Sequence, residues 1–109
     1  MTISILIQRK INQNEKAEKL APLIVKLRSL AAGQQGYLTG KTYRSLDRKG
    51  EYLVISTWSS LGAWKRWRDS EERMEIQKQI DDLLDEETQY RVYEPLFGGI
   101  IPTSDTIVY

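Results

Sequence analysis

Two polar residues with chemical potential lie on one predicted helix. Gln77 comes three residues before Ile80 and seven before Leu84, so it lies on or beside the apolar stripe of that helix. A buried amide must be satisfied, either by backbone or water, or by a ligand. Arg73 precedes Gln77 by four residues on the same face. Its guanidinium could stabilise an anion, or it could extend outward and pair with a nearby glutamate.

The sequence contains neither histidine nor cysteine. Histidine is the commonest general base near neutral pH, and cysteine supplies thiolate nucleophiles and metal ligands. Their absence excludes serine triads, cysteine–histidine pairs, zinc sites of the usual kind and histidine-ligated haem. Any catalysis must therefore use carboxylates, tyrosine, lysine, arginine, amides or the reactivity of the substrate itself.

All the tryptophans of the chain lie close together. Trp58 ends an alternating run rich in β-branched residues, and Trp64 and Trp67 follow at helical spacing. Ser59 or Ser60 can cap the start of that helix. Apolar stripes of this kind are usually core, but indole rings at a strand-to-helix corner can also line a ligand pocket.

Further candidates lie on predicted strands. Tyr43, Arg44 and Tyr93 are mid-strand residues, for which cross-strand pairing is the common role. A tyrosine that faces a cavity could instead donate a hydrogen bond to a substrate oxygen. Glu94 is a candidate base if its face is the enclosed one. The sequence does not fix the strand parity, so both placements stay open.

Composition predicts a single soluble domain. The chain has 109 residues, of which 40% are hydrophobic and 28% charged, with a net charge of +1. A balance so near neutral gives no electrostatic case for nucleic acid or an anionic membrane. With no signal-peptide pattern, no membrane-spanning run and no cysteine, we expect a cytoplasmic protein. The acidic residues at 81–87 lack the pattern of a calcium loop, and we interpret them as a solvated helix end.

The hydrophobic pattern predicts the order strand, helix, strand, strand, helix, strand. The strands are expected at residues 2–11, 36–46, 51–58 and 89–97, and the first helix at 15–32. The second helical region begins after Ser59-Ser60, contains Trp64 and Trp67, and ends at 86–88, with a kink or fresh start where Asp69 and Glu72 have capping-box spacing. This order predicts an α+β, ferredoxin-like βαββαβ sandwich, in which a four-stranded antiparallel sheet carries its helices on one face.

The helix-free face of such a sheet needs a partner. Apolar residues occupy both alternating sets of several strands, which is more than a face left in water would carry. We expect two sheets to pack face to face in a twofold homodimer that forms an α+β barrel. Residues 1–97 would form this domain, and residues 98–109 a C-terminal tail that reaches the neighbouring subunit.

The strand that ends in Trp58, the break at Ser59-Ser60 and the helix with Ala63, Trp64 and Trp67 resemble the antibiotic biosynthesis monooxygenase family. The resemblance runs from about residue 3 to residue 95. It implies a dimeric α+β barrel with a cavity between helices and sheet in each subunit. Some members oxidise anthrones or quinols with oxygen and no metal or flavin, others degrade haem, and many have no known activity.

Haem-degrading members carry an asparagine near the end of the first strand, a helix tryptophan, and a histidine about three turns beyond it. Trp67 matches the tryptophan, whereas Gln8 and Gln77 fall at or near the other two positions. Without a histidine ligand, we expect no haem degradation and no cofactor. The resemblance then implies oxygenation of an electron-rich aromatic or quinol, whose own carbanion reacts with oxygen.

In that hypothesis the protein binds and orients the substrate, excludes water and stabilises the anion. The expected catalytic residues are Gln77, Arg73 and Tyr43, and the expected substrate-binding residues are Trp67, Trp58, Trp64, Tyr93, Arg44 and Gln8. The alternative is a non-catalytic dimeric module that binds a small apolar ligand or serves as a scaffold. An enclosed cavity with convergent polar groups favours the enzyme, and a collapsed core with Gln77 bonded to backbone favours the scaffold.

Overall fold

A computed structural model describes residues 1–11 and 13–102 of the chain. The elements follow the predicted order: β1 Ile3–Lys10, α1 Asn14–Ala32, β2 Tyr37–Arg44, β3 Glu51–Trp58, α2 Leu61–Arg68, α3 Glu71–Leu84 and β4 Arg91–Tyr93. A short 3₁₀ turn, Phe97–Gly99, comes after β4. Within the described ranges, no helix has the length and apolar character needed to cross a membrane.

The strands form one antiparallel sheet in the order β2-β3-β1-β4. This topology confirms the predicted ferredoxin-like α+β fold. The register also settles the strand parity. Ile5 lies opposite Ser56 and Val92 on the face that packs against the helices, whereas Leu6 lies opposite Ile55 on the helix-free face.

The helical region that contains Trp64 and Trp67 is divided into two helices, as predicted, but the second helix starts at a different capping residue. Ser60 begins α2, where its hydroxyl accepts a hydrogen bond from the Ala63 amide at 3.1 Å. Ser70 begins α3, where its hydroxyl accepts from the Arg73 amide at 3.3 Å. The predicted capping residue, Asp69, instead ends α2. The two serines therefore fix where the tryptophan helix starts and where the arginine helix follows it.

Helix α1 has nearly the predicted extent, and it continues through Pro22 without the later start that was one of the two alternatives. One other element differs from the sequence prediction. Strand β4 is only three residues long, although residues 89–97 were expected to be extended. Pro95 cannot donate to a strand ladder, which limits the strand on one side. On the other side, the segment before Arg91 leaves the edge of β1.

The core has two clusters. The larger lies between sheet and helices and contains Ile3, Ile5, Ala31, Trp58, Ala63, Trp64 and Trp67. The smaller joins α1 to α3 through Leu20, Ile76 and Ile80. On the other side of the sheet, Tyr43 and Tyr93 are about half exposed. Most of the predicted tail, residues 103–109, lies outside the described residues.

Candidate active site

A partly open cavity of about 80 Å³ lies between the sheet and the helices, beside the larger core cluster. Aromatic side chains make up much of its lining: Tyr37, Trp58, Trp64, Trp67 and Tyr90. Arg73 and Gln77 contribute polar groups to the same lining. The structure thus brings together the three tryptophans, the arginine and the glutamine that sequence reasoning selected separately.

The indole rings form an ordered wall. The rings of Trp58 and Trp67 stack with their centroids 6.4 Å apart and their planes 26° from parallel. Tyr37 meets Trp58 edge to face at 5.4 Å. Trp58 is 1% exposed, and its indole N–H donates to the Ser56 hydroxyl at 3.0 Å. Trp58 is therefore a satisfied core residue whose ring also supports the wall formed by Trp67.

Arg73 is a buried cation, with 8% of its surface exposed. Its Nε donates to the Arg68 carbonyl at 2.7 Å, and its Nη1 donates to Gln77 Oε1 at 3.2 Å and to the Tyr90 hydroxyl. Arg68 is the last residue of α2, where the helix dipole favours a positive charge. Among the described residues no carboxylate lies within ion-pair distance of Arg73. The site therefore holds a positive charge that is hydrogen-bonded and has no direct counter-ion in the part of the chain that the structure describes.

Tyr90 is a site residue that the sequence reasoning did not select. Its hydroxyl accepts a hydrogen bond from Arg73, and its ring meets Trp64 at 5.8 Å. Burial raises the pKa of the Tyr90 hydroxyl, although the neighbouring Arg73 acts in the opposite direction. Because Arg73 is the donor in this pair, the hydroxyl proton of Tyr90 is left for an acceptor in the cavity. The sequence contained one signal for Tyr90: it lies two residues before the apolar Val92, and residues two apart in an extended segment point to the same face.

Gln77 is satisfied by other side chains. Its Nε2 donates to Asp81 Oδ1 at 2.9 Å and to Thr88 Oγ1 at 2.7 Å, while its Oε1 accepts from Arg73. The Thr88 hydroxyl donates to Asp81 at 2.6 Å and accepts from Arg9 at 3.3 Å. These contacts are neither the backbone bonds nor the ligand contacts that the sequence left open. Gln77 therefore links Arg73 to a polar cluster and fixes the position of its guanidinium.

The remaining sequence candidates lie elsewhere. Tyr43 pairs with Leu53, which pairs with Gln8, so all three lie on the helix-free face. Tyr93 lies on that face too, since it is opposite Ser4. Arg44 ends β2 and is exposed, and Glu94 is an exposed residue beyond β4.

None of these candidates belongs to the lining of the aromatic cavity. Strand pleating, which the sequence could not phase, separates the tyrosines from the indoles. In the part of the chain that the structure describes, no group of three or more acidic side chains could hold a metal ion.

Comparisons with known proteins agree with this architecture. The family model described as antibiotic biosynthesis monooxygenase matches residues 3–79. A conserved protein from Methanosarcina mazei is 19% identical, with a TM-score of 0.75 over 85% of this chain and 91% of that chain. SnoaB, a cofactor-independent oxygenase from Streptomyces nogalater, is 14% identical, with a TM-score of 0.74 over 87% of this chain and 93% of that chain.

A protein from Mycobacterium tuberculosis is 19% identical, with a TM-score of 0.74 over 88% of this chain and 96% of that chain. At identities this low, the structural likeness shows the fold alone. No curated protein matches the sequence.

Proposed function

Because the chain belongs to the antibiotic biosynthesis monooxygenase family, we propose that it oxygenates an electron-rich aromatic or quinol with molecular oxygen and without a cofactor. One observation carries this proposal. The buried guanidinium of Arg73 has no carboxylate within ion-pair distance among the described residues, and it lies beside the Tyr90 hydroxyl at an aromatic cavity. This combination suits a flat ring that carries an ionisable oxygen.

The charge of Arg73 would assist the first step, which is the ionisation of the substrate. A free phenol ionises at about pH 10 in water, and a cation in a low-dielectric site favours the ionised form. The resulting anion is electron-rich enough to react with oxygen directly. In an anthrone, the ring methylene would become a carbonyl: one atom of the oxygen molecule enters the product, and the other leaves as water with the two methylene hydrogens. The substrate supplies the electrons for this reduction.

The other side chains would position the substrate. The Tyr90 hydroxyl can donate its proton as a hydrogen bond to the substrate oxygen while it still accepts one from Arg73. The rings of Trp64 and Trp67 offer apolar surfaces to an aromatic substrate. Gln77 keeps the guanidinium in place from the other side. Each group thus acts by orientation and electrostatics rather than by covalent chemistry.

Substrate entry requires the lining to move. An engineered apolar cavity of about 150 Å³ is known to hold benzene, whereas this cavity is about 80 Å³. At its rim, the exposed Arg28 side chain donates from Nη2 to the Gly40 carbonyl at 2.8 Å and so ties α1 to β2. We place the entrance there, because this bond can be replaced by water without disturbing the core.

The proposal includes assembly and location. The helix-free face carries Leu6, Leu53 and Ile55, and we expect it to be covered by a second copy of the chain. The dimer would form the α+β barrel implied by the family, with one aromatic cavity in each subunit. A cytoplasmic location, expected from the absence of cysteine, belongs to the same proposal.

Oxygen uptake with a small panel of anthrones and quinols tests the activity. We expect turnover above buffer, and a loss of about tenfold or more in kcat/KM for Arg73→Met, because the anion loses its charge partner. Arg66→Met, which removes an exposed arginine of α2, is the matched control and should keep full activity. Likewise Tyr90→Phe should lose activity and Tyr93→Phe should not. No turnover with any substrate, or an Arg73→Met enzyme as active as wild type, would contradict the proposal.

A second candidate function is a non-catalytic module that binds a small apolar ligand or serves as a scaffold. The small cavity favours it, as do the side-chain hydrogen bonds that already satisfy Gln77 and engage Arg73. Quenching of indole fluorescence by quinols without oxygen uptake would support ligand binding alone. Neither quenching nor uptake would support the scaffold.

A further inference from the structure

Tyr37 lies beside the entrance that we place between α1 and β2. We propose that the Tyr37 side chain is the gate of the aromatic cavity, and that an aromatic ligand enters by taking the place of its ring. The reaction of that ligand rests on the proposed function, whereas the gate can be measured in a protein that oxygenates nothing. The gate lies on the helix side of the sheet, so a second copy on the helix-free face would not cover it.

The phenol of Tyr37 reaches along β2 to the backbone of Gly40. A Cβ at Gly40 would lie 2.3 Å from the Tyr37 hydroxyl oxygen and 3.7 Å from Arg28 Nη2. Arg28 in turn donates to the Gly40 carbonyl at 2.8 Å. The phenol and the guanidinium therefore meet over one glycine, and all three residues line the cavity.

Among the aromatic residues of the lining, Tyr37 can move at the least cost. The three tryptophans are at most 6% exposed, and the Tyr90 hydroxyl is bonded to Arg73. Tyr37 is only partly buried, and its hydroxyl has no hydrogen-bond partner among the residues that the structure describes. Its ring packs edge to face against Trp58. A change of rotamer would therefore break no hydrogen bond of this side chain, and the ring of a ligand could replace the lost aromatic contact.

The size of the cavity makes such a movement necessary. The cavity has a volume of about 80 Å³, whereas a cavity of about 150 Å³ is known to hold benzene. A ligand with one ring therefore needs a side chain of the lining to leave. When Tyr37 rotates outward, it vacates a space beside Trp58 that already has the shape of a phenol. Flat rings should fit this space better than saturated rings of similar size.

Gly40→Ala tests the gate, because the new Cβ would collide with the Tyr37 hydroxyl while its other neighbours stay at 3.4 Å or more. Gly40 lies within β2 and has no left-handed φ, so its backbone suits alanine. The phenol must then move away, and the cavity should shift toward its open state. All tryptophans of the chain line this cavity, so quenching of their fluorescence by acrylamide reports on access to it. We expect the quenching constant to rise about twofold or more.

A second substitution separates the gate from a general loosening of the fold. Combining Gly40→Ala with Tyr37→Phe removes the colliding oxygen, and the nearest remaining ring atom, Cζ, lies 3.4 Å from the new Cβ. This double variant should close again and return to the quenching of wild type, which is a non-additive result. Tyr37→Phe alone should leave the quenching unchanged. Gly62→Ala is the matched control, since its Cβ would have no neighbour closer than 3.7 Å.

Tyr37→Ala carries the test if Gly40→Ala does not fold, because removal of the ring should raise the quenching constant by a similar factor. Added phenol should fill the vacated space in Tyr37→Ala and restore protection of the indoles, and cyclohexanol should restore less. A folded Gly40→Ala protein that is quenched like wild type, a double variant that stays open, or a Tyr37→Ala protein that phenol does not protect would each overturn the proposal. Failure to take up oxygen would count against the proposed oxygenation, and these quenching results would still decide whether Tyr37 is the gate.

Discussion

The hydroxyl of Tyr90 makes stability depend on pH. Burial raises the pKa of this group in the folded protein, and in the unfolded chain it titrates at about 10. The neutral hydroxyl therefore stabilises the fold fully below about pH 10, and this contribution is lost as the pH rises through the folded pKa. Urea unfolding at pH 8 and pH 11 should show a larger loss of stability for wild type than for Tyr90→Phe. Equal losses in the two proteins would show that Tyr90 does not titrate differently on unfolding.

Gln77 should matter for stability as well as for the site. Gln77→Leu removes the partner of Arg73, Asp81 and Thr88 at once, and should reduce the free energy of unfolding by about 1–3 kcal/mol. Gln79→Leu is the matched control, because Gln79 is exposed on the same helix, and it should change stability by less than about 0.5 kcal/mol. Chemical denaturation measures both. Similar small effects would mean that water replaces the amide without cost.

Helical spacing was enough to predict part of the site, but the residues positioned by strand pairing could not be predicted from the sequence. Trp64 and Trp67 could be placed on one helix face, and Arg73 and Gln77 on another, because spacings of three and four residues are local information. Tyr90 lies just before β4, so its position depends on how β4 pairs with the distant strand β1. The hydrogen-bond partners of Gln77 also depend on non-local structure, since Thr88 lies beyond the end of its helix.

At the scale of elements, Gly36 sets how closely α2 approaches the sheet. It has a φ of +92°, and a Cβ there would lie 2.5 Å from the Cβ of Ala63. Gly36→Ala should therefore destabilise the protein by about 2–4 kcal/mol through backbone strain and overpacking. Gly62→Ala, inside α2 with its nearest neighbour at 3.7 Å, should instead stabilise by about 0.5–1 kcal/mol. Thermal melts of the two variants should shift in opposite directions, and a shared direction would contradict this account.

The order of elements was predictable because period-2 and period-3.6 patterns are strong in this chain. The residues at which the elements begin and end were not predictable. The sequence offered Asp69 and Ser70 as neighbouring caps, and the choice of Ser70 depends on how α2 and α3 meet. The length of β4 depends on the path of the segment after α3, which pairs with β1 only from Arg91 onward among the described residues. Local patterns therefore predict which elements occur, and tertiary contacts decide where each one stops.

At the scale of the molecule, one face of the sheet has no covering layer among the residues that the structure describes. Leu6 lies opposite Ile55 there, and Leu53 lies between Gln8 and Tyr43. The helices pack against the other face. An uncovered sheet face with central aliphatic residues is typical of an interface. In a twofold dimer, the same face of each subunit covers that of the other.

Assembly is therefore the prediction that belongs to this scale. In sedimentation velocity at micromolar concentration, wild type should have twice the mass of one chain. Ile55→Glu places a charge in the centre of the helix-free face and should yield a folded monomer. In a dimer, each subunit would bury one unpaired carboxylate against the sheet of the other, which is unfavourable. Val25→Glu, at a 63% exposed apolar position of α1, should leave the dimer intact. A wild-type protein that stays monomeric at these concentrations would remove the barrel, since each sheet would then expose its aliphatic face to water.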